Sequence, residues 1–255
     1  GCVAWWSEML VREGSNAQAK RQGRTVQNDA AGALGLSRLQ NSVIHFVSDE
    51  LVPFFYQELD KVGFAEAGYN KALDITACPG TDTCNLGIAS STGIADELER
   101  VIKAEYPQYI NNADVVIKIS GCMNACGQHN MAHIGFQGMS IRTKDKLVAP
   151  ALQVLLGGGN LGNGNGKFAD KVAKIPSKRG PDALRLLLND IEKNQQKEEN
   201  FLEYYDRQGK TYFYDLLKVL SDTTNLEPSD FIDWGHSENY VKAIGVGECA
   251  GVVID

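Results

Sequence analysis

The stretch DVVIKISGCMNACGQH, residues 114–129, runs from a β-branched segment into a pair of cysteines, Cys122 and Cys126. Upstream, ALDITACPGTDTC, residues 72–84, has the same arrangement with Cys78 and Cys84. Segments rich in β-branched residues favour strands, and a strand holds the loop that follows it in a defined position. The two stretches therefore predict two strands that each end in a cysteine-bearing loop.

The rest of the chain alternates between strand-like and helix-like periodicity, which predicts an α+β fold with α/β-like alternation. We expect a mixed sheet that carries the cysteine loops at its strand ends and has helices after it. The other predicted strands are 42–47, 132–141, 150–159 and 170–177. The predicted helices are 4–13, 48–63, 92–107, 180–194, 198–209 and 211–222.

Three stretches have no clear period. Residues 14–37 are polar and Gly-rich, which predicts a long loop or a mobile arm. Residues 157–166 are rich in Gly and Asn and also predict a loop. Their GGGNLG is not a dinucleotide fingerprint, because no helix pattern follows it. The stretch after residue 222 predicts an extended tail packed on the body of the protein.

Composition limits the classes of partner. The chain has 255 residues, a net charge of -7 and a pI near 5.2, so its overall field repels nucleic acid. No segment approaches the ~20 apolar residues of a membrane helix, and the start GCVAWWSEML does not resemble a signal peptide. We expect a cytoplasmic protein with reduced thiols. Because the chain opens on Gly1, we also expect it to be the later part of a longer polypeptide.

The cysteine spacing is Cys78-x5-Cys84 and Cys122-x3-Cys126. Such clustering in a reducing compartment indicates metal or cluster ligation rather than disulfides. An iron-sulfur cube takes four thiolates, and two loops at neighbouring strand ends would supply two each. The flanking glycines, which would let the backbone pass close to a bulky cluster, are Gly80, Gly87, Gly121 and Gly127.

Two alternatives stay open on spacing alone. Structural zinc prefers two to four residues between paired ligands, which the first pair does not satisfy. A local zinc set of Cys122, Cys126, His129 and His133 fits by spacing but leaves the first pair unused. The second alternative is that the four residues are buried free cysteines that bind no metal. Cys2 and Cys249 do not belong to this group, and we expect each to be a small buried or near-terminal thiol.

At these residues the chain resembles a known family. The segments TACPGTDTCNLGIASS (76–91) and IKISGCMNACGQHNMAHIGFQG (117–138) look like the C-terminal half of the sirohaem-dependent nitrite and sulfite reductases. LQVLLGGG (152–159) and KVAKIPSKRGPDALRLLL (171–188) extend the likeness, which covers roughly residues 35–210. The Cys-x5-Cys and Cys-x3-Cys spacing is the family's cluster signature.

The resemblance implies a 4Fe-4S cluster bound by the four cysteines, with Cys126 also bridging to the iron of sirohaem. It implies that Asn124 approaches the sirohaem and that Gly87 packs closely after the first loop. Gln128 and His129 follow a nitrite-type variant, CGQH, and are further candidates for cofactor binding. The Gly/Asn loop at 157–166 would also lie near the sirohaem.

The same resemblance implies a six-electron reduction of nitrite to ammonia or of sulfite to sulfide, with ferredoxin or a similar protein as electron donor. The family takes its basic substrate-binding residues from an N-terminal half, so we expect residues 1–255 alone to be inactive. SRLQNSVIHF, residues 37–46, resembles the start of the second ferredoxin-like repeat, which makes Arg38 and Asn41 structural. A stand-alone 4Fe-4S electron carrier is the alternative function, and a structural zinc domain is a further one.

Three regions are predicted on this basis. Residues 1–70 would contain a helix, the arm and a partial ferredoxin-like repeat. Residues 71–210 would form the cluster and sirohaem domain. Residues 211–255 would add a helix and the extended tail.

Overall fold

The computed structural model describes residues 2–5, 34–36, 42–45, 47–61, 63–65 and 68–241. The strands in this part are β1 Cys2–Trp5, β2 Leu34–Leu36, β3 Ser42–His45, β4 Thr76–Ala77, β5 Ile117–Ser120, β6 Ile134–Arg142, β7 Val148–Leu156, β8 Gly159–Gly162, β9 Asn165–Lys167 and β10 Asp170–Pro176. The helices are α1 Val52–Asp60, α2 Ser91–Glu105, α3 Gly180–Asn194, α4 Phe201–Gln208 and α5 Lys210–Leu217.

A five-stranded mixed sheet with the order β10-β7-β6-β5-β4 carries the cysteine loops. Strands β4, β5 and β6 are parallel, whereas β7 pairs antiparallel with both β6 and β10. Ala77 in β4 lies beside Ile119 in β5, so the chain leaves both strands at the same edge of the sheet. The predicted mixed α+β architecture is confirmed, with the first cysteine strand shortened to two residues.

Alternation along the central strands divides the sheet into two faces. Ile117, Ile119, Ile134 and Phe136 are buried and belong to one apolar core. The apolar stripes of α2 and α3 complete this core through residues such as Ile94, Leu98, Leu184 and Leu187. The helices thus cover one face, and the residues between, such as Lys118, Ser120 and Gln137, occupy the other face.

The N-terminal region contains a separate three-stranded antiparallel sheet in the order β1-β3-β2. The helix predicted over residues 4–13 is wrong at its start, because Ala4 and Trp5 pair with β3 as part of β1. Strand pairing across a long sequence separation overrides the local helical period here. Strand β2 likewise lies inside the loop predicted over residues 14–37; the other residues of both predicted segments fall outside the described residues.

The loop predicted over residues 157–166 is also a correction, because β8 and β9 form an antiparallel hairpin there. Asn163 and Gly164 connect the strands with φ of 51° and 78°. Left-handed conformations at an Asn-Gly pair are typical of tight hairpin turns. The turn signal was therefore present in the sequence, but the many surrounding glycines obscured the strands.

The C-terminal helices follow the predicted pattern closely, and α3 matches its predicted bounds. Asn200 and Glu203 form a reciprocal capping box that begins α4. Phe213 and Leu217 from α5 are fully buried in the main core. None of the helices in the described part of the chain has the length and hydrophobicity needed to cross a membrane.

Candidate functional site

The first cysteine loop begins directly after β4. Cys78 follows Ala77, and a single 3₁₀ turn spans Gly80–Asp82. The Cys84 N–H donates to the Gly80 carbonyl at 3.1 Å, and the Gly87 N–H donates to the Cys84 carbonyl at 2.9 Å. The loop ends at Ser90, whose hydroxyl caps α2 by accepting from Gly93 N–H at 3.1 Å. Two successive turns and a helix cap therefore fix both thiols of this loop.

The second cysteine loop follows β5 and contains two unusual backbone conformations. Ala125 and Gln128 have φ of 59° and 58°, a region that non-glycine residues seldom adopt. The Gln128 N–H donates to the Ala125 carbonyl at 2.8 Å, and the Gly127 N–H donates to the Ser120 hydroxyl at 3.0 Å. Rare backbone conformations of this kind are concentrated at functional sites, where contacts with the surrounding residues offset their free-energy cost.

Backbone hydrogen bonds join the two loops into one unit. The Gly121 carbonyl accepts from Ile88 N–H at 2.8 Å and from Ala89 N–H at 3.1 Å. In the other direction, the Gly121 N–H donates to the Cys78 sulfur at 3.1 Å. Both cysteine pairs are thus held at one edge of the sheet, where the parallel strands β4 and β5 end.

The flanking glycines, which we expected to let the backbone approach a cluster, are explained by contacts within the protein. A Cβ on Gly121 would lie 2.7 Å from both the Ala89 oxygen and the Gly80 Cα, and a Cβ on Gly87 would lie 2.7 Å from the Gly80 carbonyl carbon. On Gly127 it would lie 1.9 Å from the Ile119 oxygen. These positions are glycine because protein backbone packs against protein backbone, and close approach to a cluster is not needed to explain them.

The four thiols differ in exposure. Cys78 and Cys122 are buried, Cys84 is half-buried and Cys126 is exposed. Burial raises the pKa of Cys122, a hydrogen bond with the Asn124 backbone lowers it, and Cys78 and Cys84 are close enough to raise it further. Binding of iron there would displace the thiol proton. A residue that sequence reasoning missed, Ser91, places its hydroxyl 3.4 Å from the Cys78 sulfur and donates to the Cys78 carbonyl.

The zinc alternative gains no support from the described residues. In the portion of the chain that the structure describes, no three Cys, His, Asp or Glu side chains converge closely enough to hold a single metal ion. The local set of Cys122, Cys126, His129 and His133 is therefore not assembled. An iron-sulfur cube does not require its ligands to meet at one ion, because each thiolate binds a different iron at a different corner.

A cavity of about 580 Å³ lies beside the second cysteine loop, and most of the residues that line it are polar residues or glycines. Lys118, Gln128, His133 and the hairpin residue Asn160 contribute to its wall. The Lys118 ammonium donates to the Gln128 side-chain oxygen at 2.9 Å, so the left-handed Gln128 turns its amide towards this cation. Sequence reasoning did not single out Lys118, although a lysine among the apolar residues of a predicted buried strand is an available signal.

His129 and Asn124 occupy contrasting environments. His129 is only 3% exposed, and its Nδ1 has no hydrogen-bond partner among the described residues. Burial lowers the pKa of His129 to about 4, with Lys171 adding to the effect, so the imidazole is neutral at pH 7. Asn124 is exposed at the tip of the second loop, next to exposed Met123. Arg38, Asn41 and Cys249 lie outside the described residues, as does the Cys2 side chain.

A profile of the family described as "Nitrite and sulphite reductase 4Fe-4S domain" matches residues 68–217, which include all four cysteines. The chain belongs to this family. The match runs from the segment before β4 to the end of α5 and thus covers the whole five-stranded sheet. The family description names the same cluster that the thiol pattern predicted.

Individual relatives are named as sulfite or nitrite reductases. The chain is 31% identical over 124 residues to "Sulfite reductase [ferredoxin] 1" of Mycolicibacterium paratuberculosis, covering 47% of this chain and 22% of the relative. It is 26% identical to "Ferredoxin--nitrite reductase" of Synechococcus elongatus, covering 62% of this chain and 30% of that protein. The chain therefore spans less than a third of the length of these curated relatives.

A solved structure supports the fold over a larger share of the chain. The similarity to the crystal structure of dissimilatory sulfite reductase I (DsrI) has a TM-score of 0.64 and covers 94% of this chain and 72% of that chain. The sequence identity over this match is 10%, so the likeness concerns the fold. The nitrite and sulphite reductase 4Fe-4S domain here thus has the backbone architecture of a sulfite reductase chain.

Proposed function

We propose that this domain binds the 4Fe-4S cluster and the sirohaem of a nitrite or sulfite reductase. The observation that carries the proposal is the pairing of the two cysteine loops, which are joined through Gly121 at the ends of adjacent parallel strands. Cys78, Cys84, Cys122 and Cys126 are the proposed cluster ligands. The described chain fits this role, because Cys78 and Cys84 lie close enough to Cys122 to raise the pKa of its thiol.

Cys126 is the thiolate proposed to be shared with the sirohaem iron. Its exposure sets it apart from the buried Cys78 and Cys122, and exposure leaves room on its outer side for a second cofactor. A shared thiolate would pass electrons from the cluster to a substrate bound on the sirohaem. The left-handed Ala125, immediately before Cys126, is proposed to hold it in this outward position.

The cavity beside the second loop is proposed to accept the edge of the sirohaem. Sirohaem carries carboxylate side chains, and Lys118 is the cation on the cavity wall next to Gln128. Gln128 would orient Lys118, and Asn124 at the loop tip would approach the macrocycle. His129 is neutral and buried, so its proposed contribution is to support the loop from beneath. Gly87 supports the first loop through its contact with Gly80.

For the whole reductase we propose six-electron reduction of nitrite or sulfite, with ferredoxin as donor. The names of two relatives include ferredoxin, and the family description names nitrite and sulphite reductase. Stabilising an oxyanion during reduction takes several basic side chains. Of the described residues that line the cavity, Lys118 is the cationic one. We therefore propose that turnover requires basic residues from outside this domain.

The second candidate function is a stand-alone 4Fe-4S electron carrier. The test is an optical spectrum of the chain after anaerobic reconstitution with iron and sulfide, recorded before and after the addition of sirohaem. We expect a broad cube absorption first, followed by a strong Soret band and a red visible band. A cube that takes up no sirohaem would favour the carrier function.

The Cys126→Ser variant tests the shared ligand in the same experiment. We expect it to lose both the cube and the spectroscopic coupling between the cofactors. The matched control is Met123→Ala, which changes an exposed residue of the same loop and should reproduce the wild-type spectrum. A coupled pair of cofactors in Cys126→Ser would overturn the assignment.

A further inference from the structure

A segment beyond the family match folds back over the first cysteine loop. We call residues 231–240 the C-terminal strap. The strap begins at the last residue of the 3₁₀ turn Pro228–Phe231. It closes on itself where Ile232 pairs with Asn239 and the Tyr240 N–H donates to the Phe231 carbonyl. The match to the 4Fe-4S domain family ends at residue 217, so this segment lies outside it.

Asp233 is the buried centre of the strap and is only 3% exposed. One carboxylate oxygen accepts from the Ser90 N–H at 2.7 Å, at the start of α2. The other oxygen accepts from the Trp234 N–H at 2.9 Å and from the Ser177 hydroxyl at 3.3 Å. One side chain therefore ties the end of the first cysteine loop to the residues that precede α3.

Trp234 attaches the strap to the segment before α3 and to the start of α2. Its indole N–H donates to the Ser177 carbonyl at 2.9 Å, and the Lys178 ammonium lies 4.0 Å from the centre of its ring. A Cβ on Gly93 would lie 2.7 Å from the Trp234 carbonyl carbon, so the strap backbone lies directly on the first turn of α2. This contact leaves no space between the strap and the helix that follows the first cysteine loop.

Tyr240 reaches the residues between Cys84 and α2. Its hydroxyl donates to the Ile88 carbonyl at 2.6 Å, while the Ile88 N–H donates to Gly121 in the second cysteine loop. Ile88 is thus bonded to the strap on one side and to the second loop on the other. His236 adds a contact with the Thr81 hydroxyl at 3.5 Å, inside the first loop itself.

We propose that the C-terminal strap is the element that sets the position of the first cysteine loop against the second, with Asp233 and Tyr240 as positioning residues for the cluster. The inference rests on the proposed function, since it concerns the same four thiols. Within the described part of the chain, the backbone between Cys84 and α2 is hydrogen-bonded from outside the first loop by Gly121, Asp233 and Tyr240, and two of these three belong to the strap. Among the described residues, removing the two strap anchors leaves the Gly121 carbonyl as the remaining hydrogen-bond partner from outside the first loop.

A loosened loop has two consequences that differ from a general loss of stability. Water gains access to the cluster on the side of Cys84, which changes the reduction potential because solvent exposure is one of its determinants. The iron atoms also become easier to extract. Neither effect requires the core of the protein to open, because local segments open independently of global unfolding.

The test uses Asp233→Asn and Tyr240→Phe, each of which keeps the size of the side chain. Asparagine keeps an acceptor for Ser90 but loses the charge and replaces one acceptor by a donor, and phenylalanine removes the hydroxyl alone. The matched controls are Asp145→Asn and Tyr214→Phe, which change exposed residues outside the strap. We expect hydrogen exchange across residues 85–90 of the cluster-free protein to accelerate about tenfold in each strap variant, since the bonds lost are worth roughly 1–3 kcal/mol.

In the reconstituted proteins we expect a shifted cluster potential and about tenfold faster bleaching of the cube by an iron chelator, with both controls at the wild-type values. Strap variants that exchange, bleach and titrate like the wild type overturn the inference, even if their global stability falls. A wild-type chain that assembles no cube overturns the proposed function, and with it the positioning role. The two failures are therefore distinguishable.

Discussion

The glycine after the fourth cysteine shows how much of this site depends on the absence of a single methyl group. A Cβ at position 127 would lie 1.9 Å from the Ile119 oxygen, which belongs to β5 and also accepts from the Cys78 N–H. We expect Gly127→Ala to cost about 3 kcal/mol or more of unfolding free energy, the upper part of the range for overpacked cores. Denaturant unfolding of the cluster-free protein measures this cost.

Gly164 provides the control for that substitution. Its φ of 78° disfavours alanine, but nothing lies within 4 Å of the added Cβ. Gly164→Ala should therefore cost only about 1 kcal/mol, from backbone conformation alone. Equal losses in the two variants would contradict the close backbone packing of the cysteine loops.

Residues of the site were predictable from sequence only where the signal was local. Cysteines that recur with Cys-x5-Cys and Cys-x3-Cys spacing at two strand ends form a local pattern. Asp233 meets Ser90 across 143 positions of sequence, and no spacing rule connects a lone aspartate in an aperiodic stretch to a distant helix start. Gln128 was singled out, but its partner Lys118 was not, because the left-handed turn that brings them together is visible only in the structure.

At the scale of elements, periodicity predicted the long helices and strands and failed on the short ones. Helices α2 and α3 have broad apolar stripes that their own sequences define. Strand β1 depends on pairing with β3, and the β8–β9 hairpin depends on its turn, so neither has a strong pattern of its own. The described strands of the N-terminal sheet do not test the predicted partial ferredoxin-like repeat, which therefore stays a prediction.

The last three helices are joined through one buried carboxylate. Asp190 in α3 accepts from the Tyr204 hydroxyl in α4 and from the Tyr212 hydroxyl in α5, the latter at 2.6 Å. We expect Tyr204→Phe to lower the free energy of unfolding by about 1–3 kcal/mol, because a buried carboxylate loses a donor. The shift in denaturation midpoint of the cluster-free protein measures this loss.

Tyr214→Phe serves as the control for the helix junction, because Tyr214 is 48% exposed in α5. Its loss of a hydroxyl should change stability by less than about 0.5 kcal/mol. An equally small effect of Tyr204→Phe would show that Asp190 does not join the three helices.

At the scale of the whole molecule, the sheet, the helices and the strap converge on the two cysteine loops. The sheet sets their spacing, glycines allow them to touch, and the strap covers the first loop from a segment outside the family match. The predicted division at residues 70 and 210 remains a proposal. Phe213 and Leu217 nevertheless share the main core with α2 and α3, so α5 belongs physically to the body that carries the site.

The most direct test of the account is to count iron and acid-labile sulfide in the chain after anaerobic reconstitution. The account predicts about four irons and about four sulfides per chain, because the four thiolates hold one cube. Cys84→Ser removes the half-buried ligand and should reduce both counts together, whereas the exposed Met123→Ala should retain them. About one metal ion per chain without sulfide, or full counts in the Cys84→Ser variant, would contradict the four-cysteine cluster.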